Sequence, residues 1–473
     1  MTAKKFINQV SLLIILNLIV KLIWVFFIER NIQLKVGFAE YGLYYSIFNF
    51  TLVLSVIADP GLSNFMVKKM ASGNQEDSHF SFLSVKIVLS VIYLAFTLIT
   101  AYLLNYTSRQ LLLVLVAYQV LWSFMIYLRS YLKVNQLFYL DAVFSVLDKL
   151  LLVLALFPIL AFADDFLWST IFYASCQLIT LFISIVVCTI VLYQNQIDIF
   201  KAFWLKLDFK VVKPLIPFAI FAFLVLAHQK IDSVMLEKIA VNGPLETGIY
   251  AAAYRFLDAA TMVPILFASF LYPLLANLIG QQKMFNNLVN NSMKLLGAFS
   301  IIISISAWFY RTELMDLLYG KAFSQDLALV FGLLMFTVFF QTVYYVYSSV
   351  FTANNNLKLL CYISLTSLAI NIILNIILIP IYAALGAAIS NLISFGVMAL
   401  VYIFTYSQYF HFKPNYTNWF KLFALVVLMC FTAYFLNYMA FNWMVSLAVL
   451  LIAGLAISFL LRLINVKDLM EFV

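Results

Sequence analysis

Fourteen apolar runs, each close to the ~20 residues a helix needs to cross a ~30 Å hydrocarbon layer, follow one another along the chain. They fall at 8–28, 41–58, 83–104, 110–132, 141–163, 166–192, 214–236, 248–276, 290–309, 326–352, 357–379, 383–407, 418–437 and 442–461. A backbone immersed in hydrocarbon must satisfy its own hydrogen bonds, and runs of this length do so as helices. The expected fold is therefore an all-α polytopic membrane protein of about 14 transmembrane helices, grouped six, six and two. With hydrophobic residues at 65% of 473 positions and charged ones at 10%, no water-soluble surface can be assembled. No stretch between runs exceeds about twenty residues, which excludes a separate soluble catalytic domain. The opening MTAKKF and the run after it read as an uncleaved first span, because the run carries Lys21 and lacks a small-x-small cleavage site. Cys176, Cys188, Cys361 and Cys430 lie inside apolar runs without metal or redox spacing, so they read as small buried residues and no metal site is expected.

Orientation can be read from the basic residues. With a cytoplasmic N-terminus, eighteen of the 28 Lys and Arg fall at cytoplasmic ends and loops, six at the opposite ends, and four within spans. Lys86 is counted with the cytoplasmic group. This positive-inside bias puts both termini in the cytoplasm. The net charge of +8 is then an orientation signal, helped by anionic membrane lipid, and not the footprint of a nucleic-acid partner.

One pattern occurs twice. Gly37, Glu40, Gly42 and Tyr44 in GFAEYGLY recur as Gly243, Glu246, Gly248 and Tyr250 in GPLETGIY, 206 residues on. Both copies precede the second span of a six-span set on the outer side, which makes the halves parallel repeats about an axis along the membrane normal. Glu40 and Glu246 are expected to serve helix N-termini, where negative charge is favoured. The resulting division is an N-lobe at 1–193, a linker at 194–213, a C-lobe at 214–410 and an accessory pair with a tail at 411–473. In the linker Ile199, Phe200, Phe203, Trp204 and Leu207 alternate with Lys201, Lys206 and Lys210 as in an interfacial helix.

Three stretches carry a resemblance. YGLYYSIFNF through ADPGLSNFMVKKMA at 41–71, KIDSVMLEKIAVNGPLETGIYAAAYRFLD at 230–258 and TANNNLKLLCYISLTSLAINIILNIILIPIYAALGAAISNLIS at 352–394 resemble the Wzx-type polysaccharide flippases of the MOP (MATE-like) superfamily. The resemblance implies two six-helix lobes plus two peripheral helices. It also implies transfer of a polyprenyl-diphosphate-linked oligosaccharide from the inner to the outer leaflet of a bacterial cytoplasmic (inner) membrane, alongside polysaccharide polymerase and assembly proteins. Pro60 departs from it, standing where related sequences often carry an aromatic or small residue, so the bend at Asp59–Pro60–Gly61 is left open.

Ionisable side chains within spans are costly and tend to face wet interiors. The chain has Lys21, Asp148, Lys149, Lys230, Asp232, Arg255 and Asp258. Lys21 and Lys230 are 209 residues apart, near the repeat distance. Counting ~1.5 Å per residue puts Lys230 roughly 24 Å above one end of its helix and Arg255 roughly 11 Å below the other, both in the outer half. Arg255, Lys230 and Lys21 are thus the candidate cavity cations for an anionic diphosphate. The structural alternative is that Arg255 neutralises Asp258 and that the lysines snorkel. Asp232 and Asp258 could couple transport to Na⁺ or H⁺, or could simply be ion-paired. Asp148 and Lys149, about eight residues into their run, are expected at the interface. Asn371 and Asn375, with Ser364 and Ser367, form a polar stripe that lines a sugar path or bonds a neighbouring helix. His228 lies one turn from Asp232. No other cofactor is implied. A cation-coupled multidrug exporter and a membrane glycosyltransferase or polymerase are the competing readings; the first would want a carboxylate-rich cavity and the second a substantial outer loop.

Overall fold

The computed structural model describes residues 16–17, 19–71, 79–162, 168–197, 212–410 and 415–464, and every regular element among them is helical. The helices are α1 (Arg30–Val36), α2 (Phe38–Leu54), α3 (Leu62–Ala71), α4 (His79–Leu103), α5 (Arg109–Val134), α6 (Phe138–Phe144), α7 (Leu147–Phe162) and α8 (Thr170–Gln194). They continue as α9 (Ile216–Ile239), α10 (Gly243–Asn277), α11 (Gln282–Phe309), α12 (Arg311–Tyr319), α13 (Gln325–Ala353), α14 (Leu357–Phe410), α15 (Tyr416–Tyr438) and α16 (Trp443–Leu460). Polar residues in the breaks start several of them: Ser169 accepts from the Phe172 N–H, and Ser324 does the same for Leu327.

Twelve segments among the described residues are long and apolar enough to cross a membrane. One of them is α14, whose 54 residues would reach about 80 Å at ~1.5 Å each, far beyond a bilayer core. It is broken at Ala383, whose φ of 48° and ψ of −123° are not helical. The two arms are separate spans, matching the expected boundary between 379 and 383. Counted so, the spans among the described residues come near the expected total of about fourteen. The first run does not stop at 28. Helix continues through a π-helical turn, Trp24–Glu29, into α1 and ends only at Gly37, where φ is 85°.

The chain forms two compact units, Met1–Glu237 and Lys238–Val473. The first takes in most of α9, which the Asn49 amide of α2 joins by a 2.9 Å hydrogen bond to Ser233. Its core gathers Leu62, Met66, Phe82, Met125, Leu132, Leu181 and Leu192. The expected interfacial linker helix falls mainly on 198–211, outside the described residues. In the second unit α15 and α16 are built onto α11 through Ile302, Leu422, Leu425, Met429 and Leu450. Gly454 makes the approach possible, since a Cβ there would stand 2.8 Å from Met429 Sδ and 2.9 Å from Ile302 Cγ1.

Candidate functional site

The bend left open by Pro60 is well defined. Gly61 takes φ of 91°, and the Asp59 carboxylate accepts from the backbone N–H of Gly61 and of Ser63, both at 3.2 Å, starting α3. The same carboxylate accepts from the Ser63 hydroxyl and, at 2.8 Å, from Lys86 Nζ. Lys86 is fully buried on α4 and also donates to Ser123 of α5. It is therefore an internal tie of three helices and not a topology-setting cytoplasmic lysine.

A second polar cluster forms at the π-helical turn. Such turns are rare, and they often mark functional positions because they change which side chains face inward. Glu29, which ends it, is 6% exposed and accepts from the hydroxyls of Tyr41 (3.3 Å) and Tyr173 (3.2 Å). The Trp24 indole donates to Tyr173 at 3.3 Å, and Tyr44 of the repeated motif donates to Gln177 at 2.9 Å. Residues of the first span, α2 and α8 are thus joined around one buried acid.

Beside it lies a cavity of about 280 Å³ lined by Lys21, Trp24, Tyr118, Gln119, Trp122 and Lys149, among others. The Lys149 ammonium sits 4.8 Å from the Trp24 ring centroid and 5.4 Å from that of Tyr118, donates to the Tyr118 hydroxyl at 3.0 Å and meets Asp148 at 3.3 Å. Asp148 is 3% exposed and Lys149 20%. Both side chains are largely covered by the surrounding helices. Asn17 and Ser145, joined at 2.7 Å, close another side. Lys149, held between two aromatic rings and the Asp148 carboxylate, and Lys21 give the cavity wall cationic groups beside flat apolar faces.

The repeated glutamates do matching work. Glu40 accepts from the Thr170 N–H (2.7 Å) and hydroxyl (3.0 Å) at the start of α8, and Glu246 accepts from the Ala384 N–H (3.2 Å) at the start of the second arm of α14. Each thus serves a helix N-terminus, but that of the sixth helix of its repeat, 130 and 138 residues away. Gly42, Tyr44, Gly248 and Tyr250 are buried on the helices that follow.

The remaining candidates lie in two neighbourhoods. On α9, Asp232 and His228 are buried and Lys230 is half-buried. On α10, Arg255 is buried and Asp258 half-buried. Asn371 and Asn375 are fully buried; Asn375 donates to Asn371 (3.1 Å), which donates to Ser394 Oγ (3.4 Å) on the other arm of α14. Ser367 donates to the Ser394 carbonyl at 2.9 Å. The stripe bonds one arm to the other.

The profile of the family described as "Polysaccharide biosynthesis protein" matches residues 6–279, more than half of the chain. The chain belongs to the polysaccharide biosynthesis protein family. A second profile, MatE, matches residues 217–377. Among solved structures, the lipid II flippase MurJ in an inward closed conformation is 17% identical, with a TM-score of 0.72 over 99% of this chain and 100% of that one. An inward-facing multidrug resistance MATE transporter of the MOP superfamily is 13% identical, with a TM-score of 0.64 over 83% and 98%. The MATE transporter VcmN of Vibrio cholerae is 17% identical, with a TM-score of 0.58 over 86% and 97%. The fold is that of the MOP superfamily. No curated protein sequence matches the chain.

For this polysaccharide biosynthesis protein, sequence reasoning singled out Lys21 and Lys149 among the residues that line the cavity and passed over Gln119, as it did the buried Glu29. Glu29 follows an apolar run that reads as finished at 28, and a π-helical turn leaves no periodic trace in sequence. Gln119 is one neutral amide in an otherwise apolar run, a signal that was available.

Proposed function

We propose that the protein is a flippase that moves a lipid-pyrophosphate-linked oligosaccharide from the inner to the outer leaflet of a bacterial cytoplasmic membrane by alternating access, for surface polysaccharide biosynthesis. The observation that carries this is the cavity where Lys21 and Lys149 stand among Trp24, Trp122 and Tyr118, in a chain of the polysaccharide biosynthesis protein family. A diphosphate offers charge to the lysines and a sugar offers flat apolar faces to the aromatics. Lys230 on α9 and Arg255 on α10 are further candidate cations for the cargo. The lipid tail stays in the bilayer, so membrane lipid is part of the working environment, and a polymerase or assembly protein takes the delivered cargo. A Na⁺ or proton gradient drives the cycle through Asp232 or Asp258.

The test is a host strain whose own copy is deleted. Loss of surface glycan restored by the wild-type gene supports the reading; normal glycan without the gene opposes it. Lys149→Met and Arg255→Ala are each expected to lower complementation at least tenfold while the protein remains inserted. The MatE match favours one alternative, a cation-coupled multidrug exporter. It predicts altered drug susceptibility with glycan intact.

A further inference from the structure

The cavity beside Lys149 holds one group that the charge argument leaves unused. Gln119 on α5 is 1% exposed, and neither its Nε2 nor its Oε1 has a hydrogen-bond partner among the described residues. Buried polar atoms are nearly always paired, and exceptions gather where a ligand or a strained function accounts for them. Here both ends of one amide are exceptions, and Gln119 is one of the residues that line the cavity.

We propose that Gln119 reads the sugar attached directly to the phosphate, bonding two neighbouring hydroxyls while Lys149 and Lys21 face the phosphate. The inference rests on the flippase reading for the identity of the cargo. A primary amide presents two N–H donors and one carbonyl acceptor. Phosphate oxygens only accept, so a phosphate satisfies the Nε2 side alone. A prenyl chain satisfies neither side. A pair of adjacent sugar hydroxyls does both, taking an N–H from Nε2 and giving an O–H to Oε1. The surroundings agree with a phosphosugar. Tyr118, next to Gln119 in the chain, carries its hydroxyl 3.0 Å from Lys149 Nζ, which ties the phosphate-facing cation to the same helical turn as the amide. Trp122, three residues on and on the same face, also lines the cavity and offers a flat surface to a ring. At about 280 Å³ the cavity falls below the ~300–1,000 Å³ of pockets that bury a drug-sized molecule, so it seats one sugar unit and not the whole oligosaccharide.

The experiment is equilibrium dialysis of the full-length purified protein with three probes: a hexose 1-phosphate, the free hexose and inorganic phosphate. The hexose 1-phosphate should bind more tightly than either part alone. Gln119→Leu should weaken it roughly tenfold, the scale of a lost buried hydrogen-bond pair, and leave inorganic phosphate unchanged. Lys149→Met should weaken both phosphate-bearing probes. Gln119→Glu, which keeps the acceptors and loses the donors, should weaken the hexose 1-phosphate as well. A thermal midpoint for Gln119→Leu at or above that of the wild type would establish that the variant is folded and that the amide has no structural partner; a fall of many degrees would mark Gln119 as a structural residue and overturn the proposal. Equal binding of hexose 1-phosphate and inorganic phosphate, or an unchanged hexose 1-phosphate affinity in Gln119→Leu, would also overturn it. The two readings separate cleanly. Gln119-dependent binding with normal surface glycan in the deletion strain removes the flippase reading and keeps the sugar-phosphate site. A glycan-deficient deletion strain with no Gln119 effect does the reverse.

Discussion

Lys86 and Asp59 show how a charge can be buried among apolar helices when its partners come from neighbouring helices. The lysine is fully buried, while Asp59 retains three further donors from Gly61 and Ser63. Removing one partner of a buried pair costs about 3–5 kcal/mol because the other is left uncompensated. The loss is therefore unequal. Asp59→Ala should lower the thermal midpoint of the purified protein more than Lys86→Met, since the carboxylate keeps its donors when the lysine goes and the ammonium keeps only Ser123 when the aspartate goes; an equal or reversed order would contradict this account. The sequence announces that each intramembrane charge is costly, but not what it faces. Hydropathy treats Lys86, Lys149 and Lys21 alike, and only packing separates a helix tie from a cavity wall.

At the scale of elements, the repeated glutamates are the clearest case of sequence and structure agreeing while the partner differs. That Glu40 and Glu246 serve helix N-termini follows from their place before a span. That they serve the sixth helix of each repeat depends on contacts 130 and 138 residues apart, which no local pattern encodes. Glu40→Ala and Glu246→Ala should each cost about 1 kcal/mol, as lost helix caps do, and the costs should add in the double variant. Thermal unfolding of the three variants measures this; a single variant without effect would remove the cap role for that copy. The break in α14 makes a sharper prediction. A Cβ on Gly386 would overlap the backbone carbonyl of Leu378, whereas one on Gly396 would meet only Phe340 at 3.8 Å. Gly386→Ala should destabilise by more than about 3 kcal/mol, and Gly396→Ala should be neutral or better because alanine favours helix by about 1 kcal/mol. Yields and thermal midpoints of the two variants check it. This break was readable from the Ile-Pro turn and the edges of the apolar runs. The continuation of the first helix to Val36 was not, because Glu29 and Arg30 look like a loop until Tyr41 and Tyr173 are seen to hold the acid.

For the whole molecule, the count of spans, the all-helical class and the superfamily were legible, since each rests on long runs or motifs spread over the chain. The hydrogen bond from Asn49 of α2 to Ser233 of α9 joins residues 184 apart, which no local pattern encodes. The central claim is that the molecule carries a lipid-linked oligosaccharide across the bilayer, and it can be read on the cargo itself. In spheroplasts depleted of the protein, the fraction of lipid-linked oligosaccharide open to an externally added, membrane-impermeant oxidant of vicinal diols should fall as the total accumulates, and Lys149→Met should behave as depletion does. Lipid-linked oligosaccharide as accessible from outside in depleted cells as in wild-type cells would contradict the account.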